Sequence, residues 1–225
     1  MKKIIIGIAT SLLLAGAAFA DSTNVGLKLS YAELSADGKE TTNLAADGTI
    51  SSGSGDKKFP LASIFIEREI DVPASSGVSV AIGLDLVPLT ADAKIDGGTA
   101  TDATVEISNQ YTAYIQPTKS LDNGLSIFAK IGYSKADLDV KSITRQATTN
   151  GSGTASTDAS ASKNLEGPTF GLGVQKSIST PFADFVRLEV SYTDYDDVSY
   201  TNSNGKVLTA DADLTAINLS IGKKF

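Results

Sequence analysis

The chain contains no cysteine, no histidine and no tryptophan among its 225 residues. Without cysteine it has neither disulfides nor a thiolate to act as a nucleophile or a metal ligand. Without histidine the most frequent general base is missing as well. No motif indicates a Ser–Lys or paired-glutamate arrangement in their place. We therefore predict that the protein is not an enzyme and has no catalytic residues, no cofactor and no metal site.

An excess of basic charge is also missing. The chain has 19 basic and 26 acidic residues and a formal net charge of −7. Loss of the signal peptide predicted below removes Lys2 and Lys3, which leaves 17 basic residues and a net charge of −9. An acidic chain without a basic patch is a poor ligand for polyanions, so we expect no nucleic-acid partner.

The first 20 residues have the pattern of a secretory signal peptide. Residues 1–3 include Lys2 and Lys3, residues 4–14 form an apolar run, and residues 15–20, AGAAFA, supply the small-x-small pattern that precedes a cleavage point after Ala20. The apolar run is too short for a spanning helix, which needs about 20 residues. We expect cleavage after Ala20 and one mature domain over residues 21–225. No later run is apolar for long enough to form a membrane helix.

What the mature chain does contain is repeated alternation of apolar and polar residues, the pattern of β-strands. In "LSIFAKIGYSK", Leu125, Ile127 and Ile131 share one face. Ser126 and Lys130 lie on the other face. Eight segments show this pattern: NVGLKLSYAEL, LASIFIEREI, GVSVAIGLDLVP, TVEISNQYTAYIQP, LSIFAKIGYSK, PTFGLGVQKS, FVRLEVSYTDY and AINLSIGKKF.

The connections between these segments alternate in length. Three short turns contain Pro73, Pro117 and Pro181, whereas four long polar segments cover residues 35–58, 90–102, 136–164 and 194–207. Alternating short and long connections are typical of a membrane barrel with short periplasmic turns and long extracellular loops. In the first long segment, the pairs Asp37-Gly38 and Asp47-Gly48 predict a small hairpin above the membrane.

The distribution of polarity favours a membrane barrel over a soluble sheet. The polar faces collect glycines and charges of both signs, while the apolar faces are aliphatic and aromatic. Closing eight strands into a barrel removes both open edges. We therefore predict an all-β, eight-stranded antiparallel up-and-down transmembrane β-barrel with lipid outside. A soluble periplasmic β-sandwich is the alternative, since alternation does not distinguish inside from outside.

Aromatic residues are placed as two interfacial belts would require. Phe182 and Tyr192 lie ten positions apart, which corresponds to roughly 24 Å along the membrane normal for a tilted strand. That distance matches the apolar band of outer-membrane barrels. One predicted belt contains Tyr31, Tyr133, Phe170 and Tyr192, and the other contains Phe182 and Phe225.

The inward positions of the predicted barrel carry charges that we expect to form a polar network. The seven residues are Lys28, Glu67, Asp85, Glu106, Lys130, Arg187 and Glu189. The lumen of an eight-stranded barrel is just wide enough for its own side chains, and buried charges must be paired. We therefore predict a salt-bridged plug. The alternatives are a small porin-like channel and a catalytic pair of carboxylates.

The end of the chain resembles the C-terminal signature of bacterial outer-membrane β-barrels. Its last strand, "AINLSIGKKF", alternates and ends on an aromatic ring; the residues in question are Ile217, Leu219, Ile221, Gly222 and Phe225. The penultimate segment "VRLEVSYTDY" is similar to that of small eight-stranded barrels of the OmpA/OmpX type. Lys223 departs from the pattern, because the family usually carries an apolar or aromatic residue there.

This resemblance implies a cell outer membrane protein of the porin-family type, whose C-terminal strand is recognised by the barrel assembly machinery. Its expected partners are outer-membrane lipid and lipopolysaccharide, with host or cell-surface ligands bound through the loops. The implied role is structural or surface interaction, including adhesion and host contact. The alternatives are a small porin-like channel for ions or small solutes and a soluble periplasmic β-sandwich binding module.

Overall fold

The computed structural model describes residues 22–41, 50–72, 77–88, 90–96, 101–145, 157–158, 161–201 and 207–225. The predicted signal peptide and parts of all four long connections lie outside these residues. No helix in the described part of the chain is long and apolar enough to cross a membrane. A 3₁₀ turn spans Asp122–Gly124.

The described residues form ten strands that build eight barrel strands. The ten are β1 (Ser22–Thr41), β2 (Ile50–Asp71), β3 (Val78–Val87), β4 (Ala91–Asp96), β5 (Thr101–Ser120), β6 (Leu125–Arg145), β7 (Thr157–Asp158), β8 (Ala161–Ser177), β9 (Phe185–Thr201) and β10 (Val207–Lys224). β3 and β4 pair in succession with β5, and β7 and β8 pair in succession with β6. The prediction of eight barrel strands is confirmed.

The sheet is antiparallel throughout and closes on itself. β1 pairs with both β2 and β10, and the pairing of β5 with β6 completes the circle. The last residue takes part in the closure: Phe225 N–H donates to the Thr23 carbonyl at 2.8 Å, and Thr23 N–H donates to the Phe225 carbonyl at 2.9 Å. The predicted up-and-down antiparallel barrel is confirmed.

We call the half of the barrel next to the short turns and the termini the turn half. Its polarity is inverted relative to that of a soluble protein, with apolar side chains outside and polar side chains inside. Its outward apolar side chains are widely exposed, with Leu29 at 63 % and Leu172 at 69 %. The inward polar side chains of Glu67 and Lys130 are buried. Leu84 is an exception, because it alternates outward but is only 4 % exposed. This surface is what a lipid bilayer covers.

The opposite half, which we call the loop half, begins beyond an exposed ring of Tyr31, Tyr133, Phe170 and Tyr192. Strands of about 20 residues are twice as long as a spanning strand needs, so they continue past the bilayer. Here the polarity is that of a soluble sheet, with apolar residues inside. We call this inner group the apolar cluster; it contains Ala32, Leu34, Ile107, Ala136, Leu165, Tyr195, Ala212, Leu214 and Ala216.

The loop half also divides into two sheets. β2 pairs with β3 only over residues 64–71, and β8 pairs with β9 only over residues 169–177. Beyond these points, β9, β10, β1 and β2 form one sheet, and β4, β5, β6 and β8 form the other. The apolar cluster has members on both sheets. The barrel therefore opens into a two-sheet sandwich whose core is apolar.

Three sequence-based expectations need correction. Much of the four predicted long loops is strand, since β1 runs to Thr41 and β2 begins at Ile50. Asp37 and Gly38 lie within β1 opposite Ser54 and Gly53 and close no hairpin, while residues 47–48 lie outside the described residues. Phe182 lies in the turn before β9 instead of on the strand.

Inward glycines pair with aromatic rings across neighbouring strands of the turn half. In each pair the ring occupies the space where a glycine Cβ would lie, an arrangement that relieves the weak strand propensity of glycine. The four pairs are Gly26 with Phe65, Gly83 with Tyr114, Gly173 with Phe128, and Gly222 with Phe185. Small and large residues thus fill the lumen in matched positions.

We predict that Gly26→Ala destabilises the barrel by about 1–3 kcal/mol, the usual cost of overpacking. The new methyl group would overlap the Phe65 ring and the backbone carbonyl of Ile221. Gly53→Ala is the matched control, because nothing lies within 4 Å of its Cβ position. Urea unfolding in detergent micelles measures both variants. Equal stability of the two variants would contradict the steric explanation.

Candidate functional site

The barrel interior is built around an ion pair between Arg187 on β9 and Glu67 on β2. The guanidinium binds Glu67 through two nitrogens, and Nη1 lies 2.9 Å from Oε2. Glu67 also accepts hydrogen bonds from the Tyr114 hydroxyl and from Asn24 Nδ2, both at 2.9 Å. The exposed fractions of the Arg187 and Glu67 side chains are 6 % and 0 %. The pair therefore links β9, β2, β5 and β1 across the lumen.

Aromatic rings surround the Arg187 guanidinium. Its central carbon lies 4.4 Å from the centre of the Phe185 ring, 5.5 Å from that of Phe65 and 5.6 Å from that of Phe128. Nε donates to Gln175 Oε1 at 2.6 Å. Cations bind favourably to aromatic faces in a desolvated site. The same three rings cover three of the inward glycines, so those glycines help to position the site.

Two further ion pairs lie beside the first. Lys130 Nζ is 2.5 Å from Glu189 Oε2, and Asn218 Nδ2 donates to Glu189 Oε1 at 3.1 Å. Lys28 pairs with Asp85 Oδ2. Three ion pairs thus unite six of the seven residues that the sequence placed in the interior. A buried charge is stabilised only when a counter-charge and hydrogen bonds replace water, and Glu67 and Glu189 receive both from the protein.

The seventh residue, Glu106, lies on the other face of the sheet, and its predicted place in the interior is corrected. The register of β5 against β6 shifts between Ser108 and Tyr111, where Asn109 has a φ of 51°. An extra residue in a strand exchanges its two faces. Ile107 therefore points inward into the apolar cluster, and Glu106 points outward.

A row of hydroxyl groups, which sequence reasoning missed, separates the ion pairs from the apolar cluster. The hydroxyl oxygens of Thr112 and Ser134 are 2.6 Å apart, and Ser134 Oγ is also 2.6 Å from Thr169 Oγ1. Thr169 Oγ1 is in turn 2.9 Å from Thr193 Oγ1. These residues lie on four successive barrel strands, β5, β6, β8 and β9. The available signal was an inward hydroxyl at the same level of each strand. The row crosslinks the wall where the interior changes from polar to apolar.

The C-terminal strand presents the residues that the sequence associates with barrel assembly. Ile217, Leu219 and Ile221 point outward and are about half exposed, and Phe225 is 75 % exposed. Gly222 points inward beneath the Phe185 ring. The strand thus offers an apolar outer face up to its end.

Lys223, which departs from the family pattern, is paired with Asp184. Lys223 Nζ lies 3.0 Å from Asp184 Oδ1, and the Lys224 N–H donates to Asp184 Oδ2 at 2.8 Å. Lys224 Nζ lies 2.9 Å from Glu69 on β2. The hydrogen bond from the Lys224 backbone and the contact with Lys223 lower the pKa of Asp184 below its usual value. The opposite charges of Asp184, in the turn before β9, and of Lys223, near the end of β10, therefore neutralise each other.

The lowered pKa of Asp184 predicts a pH dependence of stability. A depressed carboxyl pKa contributes stability above the unfolded-state value of about 4, and this contribution is lost as the pH falls through the folded-state pKa. We expect Asp184→Asn to be less stable than the wild type at pH 7, with the difference shrinking below about pH 4. The urea concentration at the midpoint of unfolding, determined for both proteins in micelles from pH 3 to 8, measures this difference in stability.

Asp122→Asn, which changes an exposed carboxylate in another short turn, is the control and should show no such convergence with the wild type. A difference between Asp184→Asn and wild type that stays constant with pH would contradict the prediction.

No group of three or more acidic, histidine or cysteine side chains suited to a metal ion occurs among the described residues. The buried carboxylates instead have cationic partners within the protein. Glu67, Asp85 and Glu189 are held by Arg187, Lys28 and Lys130 respectively. The arrangement is that of a structural polar core.

No protein-family model matches the chain, and no curated protein matches it at a significant level. Solved structures with a similar course of the chain include the outer membrane protease OmpT from Escherichia coli, at 13% identity and a TM-score of 0.48, covering 92% of this chain and 99% of that one. The outer membrane protein AlkL has 16% identity and a TM-score of 0.44, covering 93% of each chain. Ail, the attachment invasion locus protein of Yersinia pestis, has 9% identity and a TM-score of 0.38, covering 89% of this chain and 98% of that one.

The strand pairing and the surface of this chain decide its class without those likenesses. Eight antiparallel barrel strands close on themselves, with apolar side chains outside and paired charges inside in the turn half. The protein is a small transmembrane β-barrel.

Proposed function

We propose that the protein is an outer-membrane barrel with a structural and surface-interaction role, with no channel or catalytic activity of its own. The observation that carries this proposal is the filled interior. Three ion pairs occupy the lumen of the turn half, and the apolar cluster occupies that of the loop half. A barrel closed in this way leaves the outer wall and the loop half as the surfaces on which it can act.

The outer wall supports outer-membrane lipid and lipopolysaccharide as the first partners. Leu29, Leu172 and Leu219 are at least half exposed on this wall, and only an apolar solvent makes such exposure favourable. The predicted export signal agrees with this location. We place the termini and short turns in the periplasm and the loop half outside the cell. The apolar face of β10 and its terminal Phe225 then suit recognition by the barrel assembly machinery.

The loop half supports contact with host or cell-surface ligands. Its two sheets pack on a shared apolar core. This packing stabilises the strand ends from which the four long connections leave. The outer face of the sheet formed by β9, β10, β1 and β2 is acidic. Burial, followed by repulsion from Asp211 and Asp194, raises the pKa of Asp213 on this face. We infer a role in adhesion that is carried by these connections.

The channel, soluble and enzymatic alternatives are less well supported. The interior cavities that border the ion pairs and the apolar cluster measure about 40 and 10 Å³, which is too little for a solute pathway. A soluble sandwich would bury the leucines of the outer wall. The interior carboxylates are engaged by cations, so they are poorly placed to act as general acids or bases.

Adhesion of bacteria that produce the protein tests the proposed role. Replacing residues 146–156 with a Gly-Ser linker leaves every described strand intact, and we expect adhesion to epithelial cells to fall toward that of non-producing bacteria. A variant with the same eleven residues in shuffled order is the control for bulk and composition. Heat-dependent migration on SDS gels confirms folding. Unchanged adhesion in both variants, or conductance steps of the wild type in planar bilayers, would contradict the proposal.

A further inference from the structure

A polar cavity of about 40 Å³ lies at mid-barrel, between the ion pairs and the hydroxyl row. Lys28, Asp85, Lys130 and Glu189 line it, so its two cations and two carboxylates balance. Asp85 is only 5 % exposed, and among the described residues its Oδ1 has no hydrogen-bond partner on the protein. A buried carboxylate oxygen is stable when water replaces a missing protein partner. We call this cavity the chamber.

The chamber has the size and the chemistry of a water site. A cavity of about 10–15 Å³ holds one water, so the chamber has room for about three. Its lysine, carboxylate and hydroxyl groups supply the two to four hydrogen bonds that each buried water requires. The balanced charge favours neither a cation nor an anion as the ligand.

A narrower apolar passage lies on the loop side of the chamber. It measures about 10 Å³ and is lined by Leu34, Phe59, Leu61, Ile107, Tyr195 and Leu214 together with Val87 and Gln110. Leu61 and Leu214 line both the chamber and this passage, so the two spaces are adjacent. We call the passage the neck. Its volume is at the lower limit for a single water and most of its walls are apolar, so it is a poor site for water and too small for a hydrated ion, as in the hydrophobic gates of channels.

We propose that the chamber is a binding site for water and that the neck is the seal that closes it toward the loop end. On this account the side chains of the apolar cluster are not equivalent. Leu214 forms part of the neck, whereas Leu165 belongs to the same cluster, is 2 % exposed, and lines neither the neck nor the chamber. Shortening Leu214 should open the chamber, and shortening Leu165 should only loosen the packing.

The absence of cysteine makes the test direct, because any introduced thiol is the only one in the chain. Ser30 is buried and lines the chamber, so Ser30→Cys places a thiol there with little change in shape. Ser199→Cys places one at an exposed position of β9 and serves as the reference for free access. The reaction of a charged methanethiosulfonate with the purified full chain in micelles is followed by mass spectrometry.

We expect the Ser30→Cys thiol to react far more slowly than the Ser199→Cys thiol. Adding Leu214→Ala to Ser30→Cys should raise the rate about tenfold, which corresponds to a barrier lowered by about 1.4 kcal/mol. Adding Leu165→Ala should leave the rate near that of Ser30→Cys alone. If Leu214→Ala does not give the folded, heat-modifiable form, Leu61→Ala makes the same test at a neck residue that is only partly buried.

Three results would overturn the proposal. Rapid reaction of Ser30→Cys in the otherwise unchanged barrel would show that the chamber is open. Equal acceleration by Leu214→Ala and Leu165→Ala would show that loosened packing, and not the neck, controls access. No acceleration by either neck substitution would show that the seal lies elsewhere. Because purified protein is used, each result is distinguishable from a failure of the adhesion proposal.

Discussion

The reversal of side-chain polarity along the barrel axis is the constraint on which the rest of the structure depends. Below the ring of Tyr31, Tyr133, Phe170 and Tyr192, apolar residues face outward and charges face inward. Above it, the interior is apolar and carboxylates lie outside. One set of continuous strands thus serves two solvents, since the bilayer stabilises apolar exposure and water does not. The level of these four aromatic side chains along the barrel axis separates the two regions.

Within the turn half, the interior is determined by size as well as by charge. An eight-stranded lumen admits little more than its own side chains, and alternating glycines and aromatic rings fill it without overlap. The same rings enclose Arg187, whose charge is matched by Glu67. The loop half needs no such pairing because its interior is apolar. The chamber lies at the junction, where neither polar partners nor apolar groups fill the space completely.

Regular alternation made the eight barrel strands, the inverted polarity and six of the seven interior charges predictable from the sequence. Glu106 was misplaced because a single bulge at Asn109 exchanges the faces of β5, and alternation carries no sign of it. The loop half was read as loops because its outward residues are polar. Ala36, Leu138 and Tyr195, which lie inside three of those predicted loops, were the available signal that inward positions there remain apolar.

Charge partners were harder to predict than charge positions. Lys223 departs from the usual C-terminal pattern of outer-membrane barrels, and its 3.0 Å contact with Asp184 gives this departure a structural reason. They are 39 residues apart in sequence, so only the register of β9 against β10 brings them together. Arg187 and Glu67 are separated by 120 residues, and closure of the barrel brings them together across the lumen. Register and closure supply this information, and composition does not.

Depth-dependent quenching of single tryptophans tests the polarity reversal most directly, because the chain has no tryptophan of its own. Leu29 and Lys39 lie on the same outward face of β1, in the turn half and the loop half respectively, and both are exposed. In bilayers of lipids brominated on their acyl chains, we expect strong quenching of Leu29→Trp and little quenching of Lys39→Trp, with aqueous acrylamide giving the opposite order. Equal quenching of both positions by the lipid, or quenching of Leu29→Trp by acrylamide alone, would contradict the account.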